Sequence, residues 1–148
     1  MAAALQSVGS MDSNQTPKTA EGAGPRILLV DDEWAILRPT ADYFRRLGAH
    51  VEVASEAEEA QALLTHRSYD LVILDVCLTP YVGSQGLNVL REIRHRNPHA
   101  NVIVLSGLEG ADIKEAARQQ GADMVLGKPQ RLSELAELAF QMTGRGHA

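Results

Sequence analysis

The stretch Leu71-Val72-Ile73-Leu74-Asp75 decides the fold, because four consecutive branched aliphatic residues run straight into a carboxylate. Such an uninterrupted apolar run, rich in β-branched residues, is typical of a strand covered on both faces in a parallel sheet. Pro80 follows shortly afterwards and favours an exit from the strand. Asp75 is therefore predicted at the carboxyl end of a central strand, where ligands collect in open α/β sheets. Taken by itself, such an Asp more often simply ends a strand or caps the next segment.

Polar side chains also follow three other aliphatic runs, at residues 27–30, 102–105 and 124–127. These side chains are Asp31 and Asp32 after the first run, Ser106 after the second and Lys128 after the third. Carboxyl ends of neighbouring parallel strands meet at one edge of a sheet. The four runs together therefore predict a shared site rather than unrelated strand ends.

Strand and helix patterns alternate regularly from Arg26 onwards. Strands are predicted at 27–30, 51–54, 71–75, 102–105 and 124–126, and helices at 33–47, 56–65, 87–96, 112–120 and 132–142. Five βα units of this spacing imply right-handed crossovers and a parallel sheet between two helical layers, a doubly wound α/β fold. Gly48 and Gly121 suit helix ends where a left-handed backbone conformation is needed.

The chain divides into three predicted parts. Residues 1–25 contain few large apolar residues and are predicted to be a disordered leader, within which Met11 is an alternative start. Residues 26–142 form the predicted domain, and residues 143–148 form a short tail. So short a tail is expected to leave no room for a DNA-binding or enzymatic output domain.

Composition narrows the class of protein. The 148-residue chain has a formal net charge of −5, which gives no general electrostatic support for nucleic-acid binding. Its one cysteine, Cys77, excludes an internal disulfide and is compatible with a reducing compartment. No apolar run approaches the roughly 20 residues of a membrane span, and the N-terminus lacks the pattern of a secretory signal. A cytoplasmic protein without membrane insertion is expected.

The first helix carries two apolar sets. Its core face is predicted to consist of Ile36, Thr40, Tyr43, Phe44 and Leu47. Trp34 and Leu37 lie off that face, close to the Asp31-Asp32 pair, and are predicted to form a docking patch for a partner protein, because aromatic anchors are enriched at interfaces. The alternative is that Trp34 packs on a loop. Pro39 lies inside the helix and predicts a kink near residues 35–39.

The predicted site favours metal-assisted phosphoryl chemistry. Three clustered carboxylates repel one another, and a divalent cation such as Mg²⁺ resolves that repulsion with oxygen ligands. Lys128 can neutralise phosphoryl oxygens and Ser106 can donate a hydrogen bond to one of them. Asp75, on the middle strand, is then the candidate nucleophile that forms an acyl phosphate. A phosphohistidine donor would require no general acid.

In this order and at these strand ends, Asp31-Asp32, Asp75, Ser106 and Lys128-Pro129 resemble the receiver domain of two-component response regulators. The resemblance covers residues 26–142. It implies a flavodoxin-like (CheY-like) fold with strand order 2-1-3-4-5 and five helices, phosphorylation of Asp75, and phosphoryl contacts from Ser106 and Lys128. It further implies Mg²⁺ held by Asp32, Asp75 and the backbone carbonyl of Cys77, with Asp31 helping through water.

Three features depart from the usual receiver pattern. Pro80 and Gly86 come late, which predicts a loop at 77–86 about three residues longer than usual. Val125 stands at the switch position on the output face, which is commonly aromatic, and Gln130 follows Lys-Pro where Phe is typical. These differences affect the coupling of phosphorylation to output and leave the catalytic set intact.

The favoured hypothesis is a single-domain response regulator, not a turnover enzyme. It would take a phosphoryl group from a sensor histidine kinase or histidine phosphotransfer protein and signal by docking to a downstream protein. The alternative is a receiver-like interaction module that works without phosphorylation. A third hypothesis rests on residues 75–79, Asp-Val-Cys-Leu-Thr, which echo the nucleophile loop of haloacid dehalogenase-type hydrolases. Cys77 replaces the second Asp that those enzymes need. A flavin-binding protein of the same fold is disfavoured because three acids would repel its phosphate.

Overall fold

The computed structural model describes residues 24–76, 80–106, 111–127 and 131–144, except for the side chains of residues 76, 80–87 and 111–113. Strands and helices alternate along these residues, as the sequence predicts. The strands are β1 (Arg26–Val30), β2 (His50–Ala54), β3 (Leu71–Val76), β4 (Asn101–Ser106) and β5 (Met124–Gly127). The helices are α1 (Trp34–Arg46), α2 (Ala57–His66), α3 (Pro80–Arg96), α4 (Ala111–Gln119) and α5 (Leu132–Thr143).

The five strands form one parallel sheet in the order β2-β1-β3-β4-β5. This order, with five helices, confirms the predicted flavodoxin-like, doubly wound fold. The register sets the carboxyl edge: Val30 pairs with Leu74, Asp75 with Leu105, and Ser106 with Gly127. The residues that leave β1, β3 and β4 therefore arrive at the same edge.

Alternate residues of the central strands serve two cores, one on each face of the sheet. On one face, strand residues pack with α1 and α5, whose contributions include Phe44 and Phe140. On the other face, strand residues pack with α2, α3 and α4, whose contributions include Leu64 and Ile93. The fully buried aliphatic run 71–74 is explained by these two helical layers.

The predicted core face of α1 is confirmed at Thr40 and Phe44 and wrong at Ile36 and Leu47. Leu37 is 1% exposed and belongs to the core, so it cannot contribute to a docking patch in this conformation. Conversely, Ile36 is 47% exposed and Leu47 is 37% exposed, although the hydrophobic pattern predicts both in the core. The buried residues are Leu37, Thr40, Ala41 and Phe44. The physical reason is that α1 has apolar residues over more than half of its circumference. Only the part of that surface that faces the sheet is buried, and the other apolar residues stay exposed.

One other expectation needs correction. Helix α3 begins at Pro80, so residues 80–86 are helical and do not belong to a long loop. Proline suits the first turn of a helix because its missing N–H has no intrahelical acceptor there. Helix α1 continues through Pro39, and the predicted kink stays a prediction.

Tyr69 forms hydrogen bonds that hold the segment before β3 in place at the amino edge of the sheet. Its backbone N–H donates to Asn97 Oδ1 at 2.7 Å, and its hydroxyl donates to a Glu52 carboxylate oxygen. Burial, reinforced by the hydrogen bond to Glu52, raises the pKa of Tyr69 above its usual range. The phenol therefore stays protonated and joins the edge strand β2 to the loop that leads into β3.

Arg94, near the end of α3, ties together the segments that precede β4 and β5. Its guanidinium donates to the carbonyl oxygens of Gly121 and Ala100, at 2.8 and 2.6 Å, and to Asp123 Oδ2 at 2.6 Å. Gly121 has a φ of +110°, and a Cβ built there would lie 2.7 Å from Arg94 Cγ. Glycine is therefore required both by the backbone conformation and by the close approach of Arg94.

Gly121→Ala is expected to destabilise the fold by about 1–3 kcal/mol through backbone strain, with a further loss because the anchored Arg94 cannot move aside freely. Gly48→Ala is the matched control, since Gly48 also has a positive φ, +101°, but nothing lies within 4 Å of its added Cβ. Urea unfolding of both variants would measure the difference. Equal losses of unfolding free energy would show that the Arg94 side chain can move away from the added Cβ without lowering the stability further.

None of the described helices combines the length and apolar character that crossing a membrane requires.

Candidate functional site

Three carboxylates meet at the carboxyl edge of the sheet. One carboxylate oxygen from each of Asp31, Asp32 and Asp75 lies within 4.8 Å of the others. Asp31 is buried, Asp75 is half-buried and Asp32 is exposed. The cluster is therefore embedded at its base and open to solvent on one side, which is the shape that an incoming ligand needs.

The backbone explains why Asp31 and Asp75 meet. Val30 and Leu74 are paired across β1 and β3, so the next residue of each chain stands at the same level. The backbone N–H of Asp31 continues the sheet by donating to Ala54 O at 3.0 Å. The Asp31 Oδ1 atom in turn accepts a hydrogen bond of 3.0 Å from the backbone N–H of Glu33. The start of α1 thus fixes this carboxylate in place.

Ser106 is the last residue of β4 and is 1% exposed. It follows Leu105, the register partner of Asp75, and pairs with Gly127 at the end of β5. Ser106 is therefore one strand away from Asp75 at the same edge, as the sequence predicts. Lys128 directly follows Gly127, but Lys128 and Cys77 lie outside the described residues.

The remaining predicted residues, Trp34, Leu37 and Val125, differ in exposure and position. Trp34 is the first residue of α1, two positions after Asp32, and its side chain is 57% exposed. Leu37, the other predicted docking residue, is buried in the core. Val125 is half-buried, pairs with Val104, and packs against the core beneath α2, α3 and α4. Sequence reasoning missed the exposure of Ile36 and Leu47, which hydrophobicity alone could not reveal.

The donor set fits a hard divalent cation. The three groups are all carboxylates, and hard cations such as Mg²⁺ take oxygen ligands and usually retain several waters. An open side at Asp32 leaves room for those waters or for a phosphate. Within the described residues, the cluster supplies only oxygen ligands, which disfavours metals that select sulfur or imidazole.

Known sequences match most of this chain. The family model described as "Response regulator receiver domain" matches residues 27–140. The chain is 40% identical over 111 residues to the alginate biosynthesis transcriptional regulatory protein AlgB of Pseudomonas aeruginosa, covering 75% of this chain and 24% of that protein. It is 33% identical over 118 residues to the regulator of RpoS of Escherichia coli, covering 79% and 34% respectively. The chain thus spans about a quarter to a third of these relatives' length.

Solved structures have the same fold. A response regulator receiver domain protein (CheY-like) from Methanospirillum hungatei is 26% identical, with a TM-score of 0.75, covering 82% of this chain and 95% of that one. The receiver domain of the Francisella response regulator 1452 is 29% identical, with a TM-score of 0.72, covering 82% and 98%. These two chains are matched over nearly their whole length.

Proposed function

Because the chain belongs to the response regulator receiver domain family, a family of signalling domains, we propose that Asp75 accepts a phosphoryl group from a phosphohistidine. The observation that carries this proposal is the convergence of Asp31, Asp32 and Asp75 within 4.8 Å at the carboxyl edge of the sheet. By strand order Asp75 lies between the Asp31-Asp32 pair, which follows β1, and Ser106, which ends β4, since β3 lies between β1 and β4.

The proposed step is a phosphoryl transfer between two proteins. An Asp75 carboxylate oxygen attacks the phosphorus atom while the bond between phosphorus and the donor imidazole nitrogen breaks. The electron pair of that bond returns to the imidazole, which leaves as histidine, and Asp75 becomes a mixed carboxylic–phosphoric anhydride. Positioning and charge neutralisation supply most of the catalysis in such a transfer.

Asp31, Asp32 and Asp75 are proposed to hold Mg²⁺, with the backbone carbonyl of Cys77 as a further ligand. When bound, Mg²⁺ supplies positive charge that neutralises oxygens of the transferred group. The residues themselves fix the geometry, because Asp31 is buried and held by the Glu33 N–H at 3.0 Å. Its carboxylate therefore needs little reorganisation to serve as part of the site.

Ser106 and Lys128 are proposed to contact the phosphoryl group. Ser106 would donate its hydroxyl hydrogen to a phosphoryl oxygen, and Lys128 would provide a point charge beside another. Support for Ser106 comes from its buried position at the end of β4, level with the end of β5. Lys128 is proposed from the sequence, as the residue that follows β5.

The proposed partners are a sensor histidine kinase or histidine phosphotransfer protein and a downstream protein target, in the cytoplasm. Trp34 supports a docking surface on α1, because it is 57% exposed and stands two residues from Asp32. Val125 is proposed to couple phosphorylation to the output face. Its half-buried side chain is smaller than the aromatic residue usual there, so the coupling would depend on repacking of the core beneath α2, α3 and α4.

Labelling chemistry tests the proposal directly. After phosphorylation by acetyl phosphate with Mg²⁺, borohydride reduction should convert Asp75 to homoserine, since an acyl phosphate is reduced and a phosphoserine is not. Peptide mass spectrometry would locate the change. Absence of any label, both from acetyl phosphate and from a phosphohistidine protein, would favour the interaction module that works without phosphorylation.

Trp34→Ala is expected to slow transfer from a phosphohistidine protein about tenfold, because truncating an aromatic interface anchor typically costs over 1 kcal/mol. Labelling by acetyl phosphate should stay unchanged, since a small donor needs no docking surface. Asp42→Ala is the control on the same helix, as Asp42 is exposed and pairs only weakly with Arg45, at 3.6 Å. Equal slowing with both donors would make Trp34 a packing residue.

A further inference from the structure

Strand β2 forms one edge of the sheet, and some of its peptide groups point away from β1. His50 N–H donates at 2.9 Å to the residue before β1, and Ala54 O accepts at 3.0 Å from the residue after β1. Peptide groups alternate in direction along a strand, so those of Val51 and Val53 point outwards from the sheet. An edge with outward-pointing peptide groups is a template for pairing with another strand.

Arg45, near the end of α1, covers part of this edge. Its Nη2 atom donates to Val51 O at 2.7 Å, the distance of a short, charge-assisted hydrogen bond. Asp42, one turn earlier on α1, lies 3.6 Å from the same guanidinium and helps to hold it there. An acceptor that a second strand would need is therefore occupied by a charged side chain, which is one of the ways in which proteins protect edge strands.

The β2 strand of a second copy fits this edge. In an antiparallel pair, Val51 of one copy can lie opposite either Val51 or Val53 of the other. The first register places His50 of each copy opposite Glu52 of the other, where the imidazole can donate to the carboxylate. The second register brings the two Glu52 carboxylates together, and like charges directly opposite each other are destabilising. Both registers use Val51 O as an acceptor, so Arg45 blocks both.

We propose that the outer edge of β2 is an interface for a second copy of the chain, and that Arg45 keeps this interface closed. Each copy must first break the hydrogen bond between Arg45 and Val51 O, and a hydrogen bond to a charged group is costly to break. The strand itself needs no rearrangement, because β2 is already extended and His50 is exposed. In this way Arg45 holds the chain as a monomer. Pairing at β2 does not depend on phosphorylation of Asp75.

Sedimentation equilibrium of the full chain carrying Arg45→Ala tests the blocking role. Self-association should strengthen at least about tenfold, since neither copy has to break a charge-assisted hydrogen bond. Arg46→Ala is the matched control, because Arg46 is the next residue of α1, is also exposed, and removes the same charge. The control should associate as weakly as the unchanged protein. In Arg45→Ala, the amides of Val51 and Val53 should exchange with solvent more slowly as the protein concentration rises.

A second substitution separates edge pairing from aggregation of a misfolded variant. Arg45→Ala/His50→Glu should associate as weakly as the unchanged protein, because two carboxylates then lie opposite each other in the paired strands. His50 is exposed, so the change leaves the core untouched. Aggregation of misfolded protein would not respond to this single charge.

Three results would overturn the proposal. Arg45→Ala that associates no more strongly than the unchanged protein would show that Arg45 blocks no interface. Equal strengthening in Arg45→Ala and Arg46→Ala would show that only the net charge of α1 matters. Association that persists in Arg45→Ala/His50→Glu, without slower exchange at Val51 and Val53, would place the contact away from β2.

Discussion

Asp75→Asn is expected to abolish acyl-phosphate formation while leaving the fold intact. An amide oxygen is a far weaker nucleophile than a carboxylate, and the amide cannot form the mixed anhydride. The unfolding free energy should not fall, because the substitution removes one of three negative charges whose oxygens lie within 4.8 Å. Loss of labelling with unchanged stability would therefore separate a chemical role from a structural one.

Intact-mass measurement after incubation with a phosphohistidine protein checks this expectation. Asp70→Asn is the matched control, since Asp70 lies just before β3 and accepts a hydrogen bond of 2.8 Å from the Arg26 N–H, which an Asn oxygen can also accept. The control should be labelled like the unchanged protein. Continued hydroxylamine-sensitive labelling of Asp75→Asn would place the acceptor on another residue.

Phe44→Ala is expected to lower the unfolding free energy by about 3–5 kcal/mol. Phe44 is 0% exposed and lies among strand residues and α5 in the core of one sheet face, so truncation leaves a cavity there. Ile36→Ala, on the same helix, should cost less than about 1 kcal/mol, because nearly half of that side chain already contacts water.

Denaturant unfolding of the two variants measures the difference, provided that the slopes of unfolding free energy against denaturant concentration stay equal. Comparing Phe44→Ala with Ile36→Ala also tests which side of α1 faces the sheet. Similar losses for both residues would mean that Ile36 is buried, as the hydrophobic pattern predicts, and that the face described for α1 is wrong.

The sheet was predictable from sequence because its strands are covered on both faces. Runs such as Leu71–Leu74 and Val102–Leu105 have no polar side, so they suit few positions other than the middle of a parallel sheet. Glycines at 48 and 121 marked helix ends correctly, since both have positive φ. Chirality of βα connections then restricts the strand order to a few arrangements.

Helix boundaries and faces were less predictable. Ile36-Leu37 and Tyr43-Phe44 are adjacent apolar pairs, so two rotations of α1 bury similar amounts of apolar surface. The sheet and α5 decide between them. The start of α3 was missed because Gly83 and Gly86 weaken the helical pattern after Pro80. Such choices depend on tertiary packing, which local sequence does not encode.

The three carboxylates of the candidate site could be predicted from sequence. The ends of parallel strands bring Asp31, Asp32 and Asp75 to one edge of the sheet, and this does not depend on where the helices begin or which faces they bury. Burial of Ser106 follows from the same register. For Trp34 the sequence predicted an exposed aromatic residue, and Trp34 is exposed. Leu37, which was predicted to lie beside it in a docking patch, is buried. The roles of Lys128, Cys77 and Val125 stay predictions that rest on the family pattern.

Metal removal tests the central claim, that the three carboxylates form a cation-dependent phosphoacceptor site. The measurement is mobility in a phosphate-affinity gel after incubation with acetyl phosphate, across a Mg²⁺ titration and in EDTA. A cation-dependent site should give a shifted band that grows with Mg²⁺, disappears in EDTA, and requires far more Mg²⁺ in Asp31→Asn/Asp32→Asn. An equally strong shifted band in EDTA would contradict it.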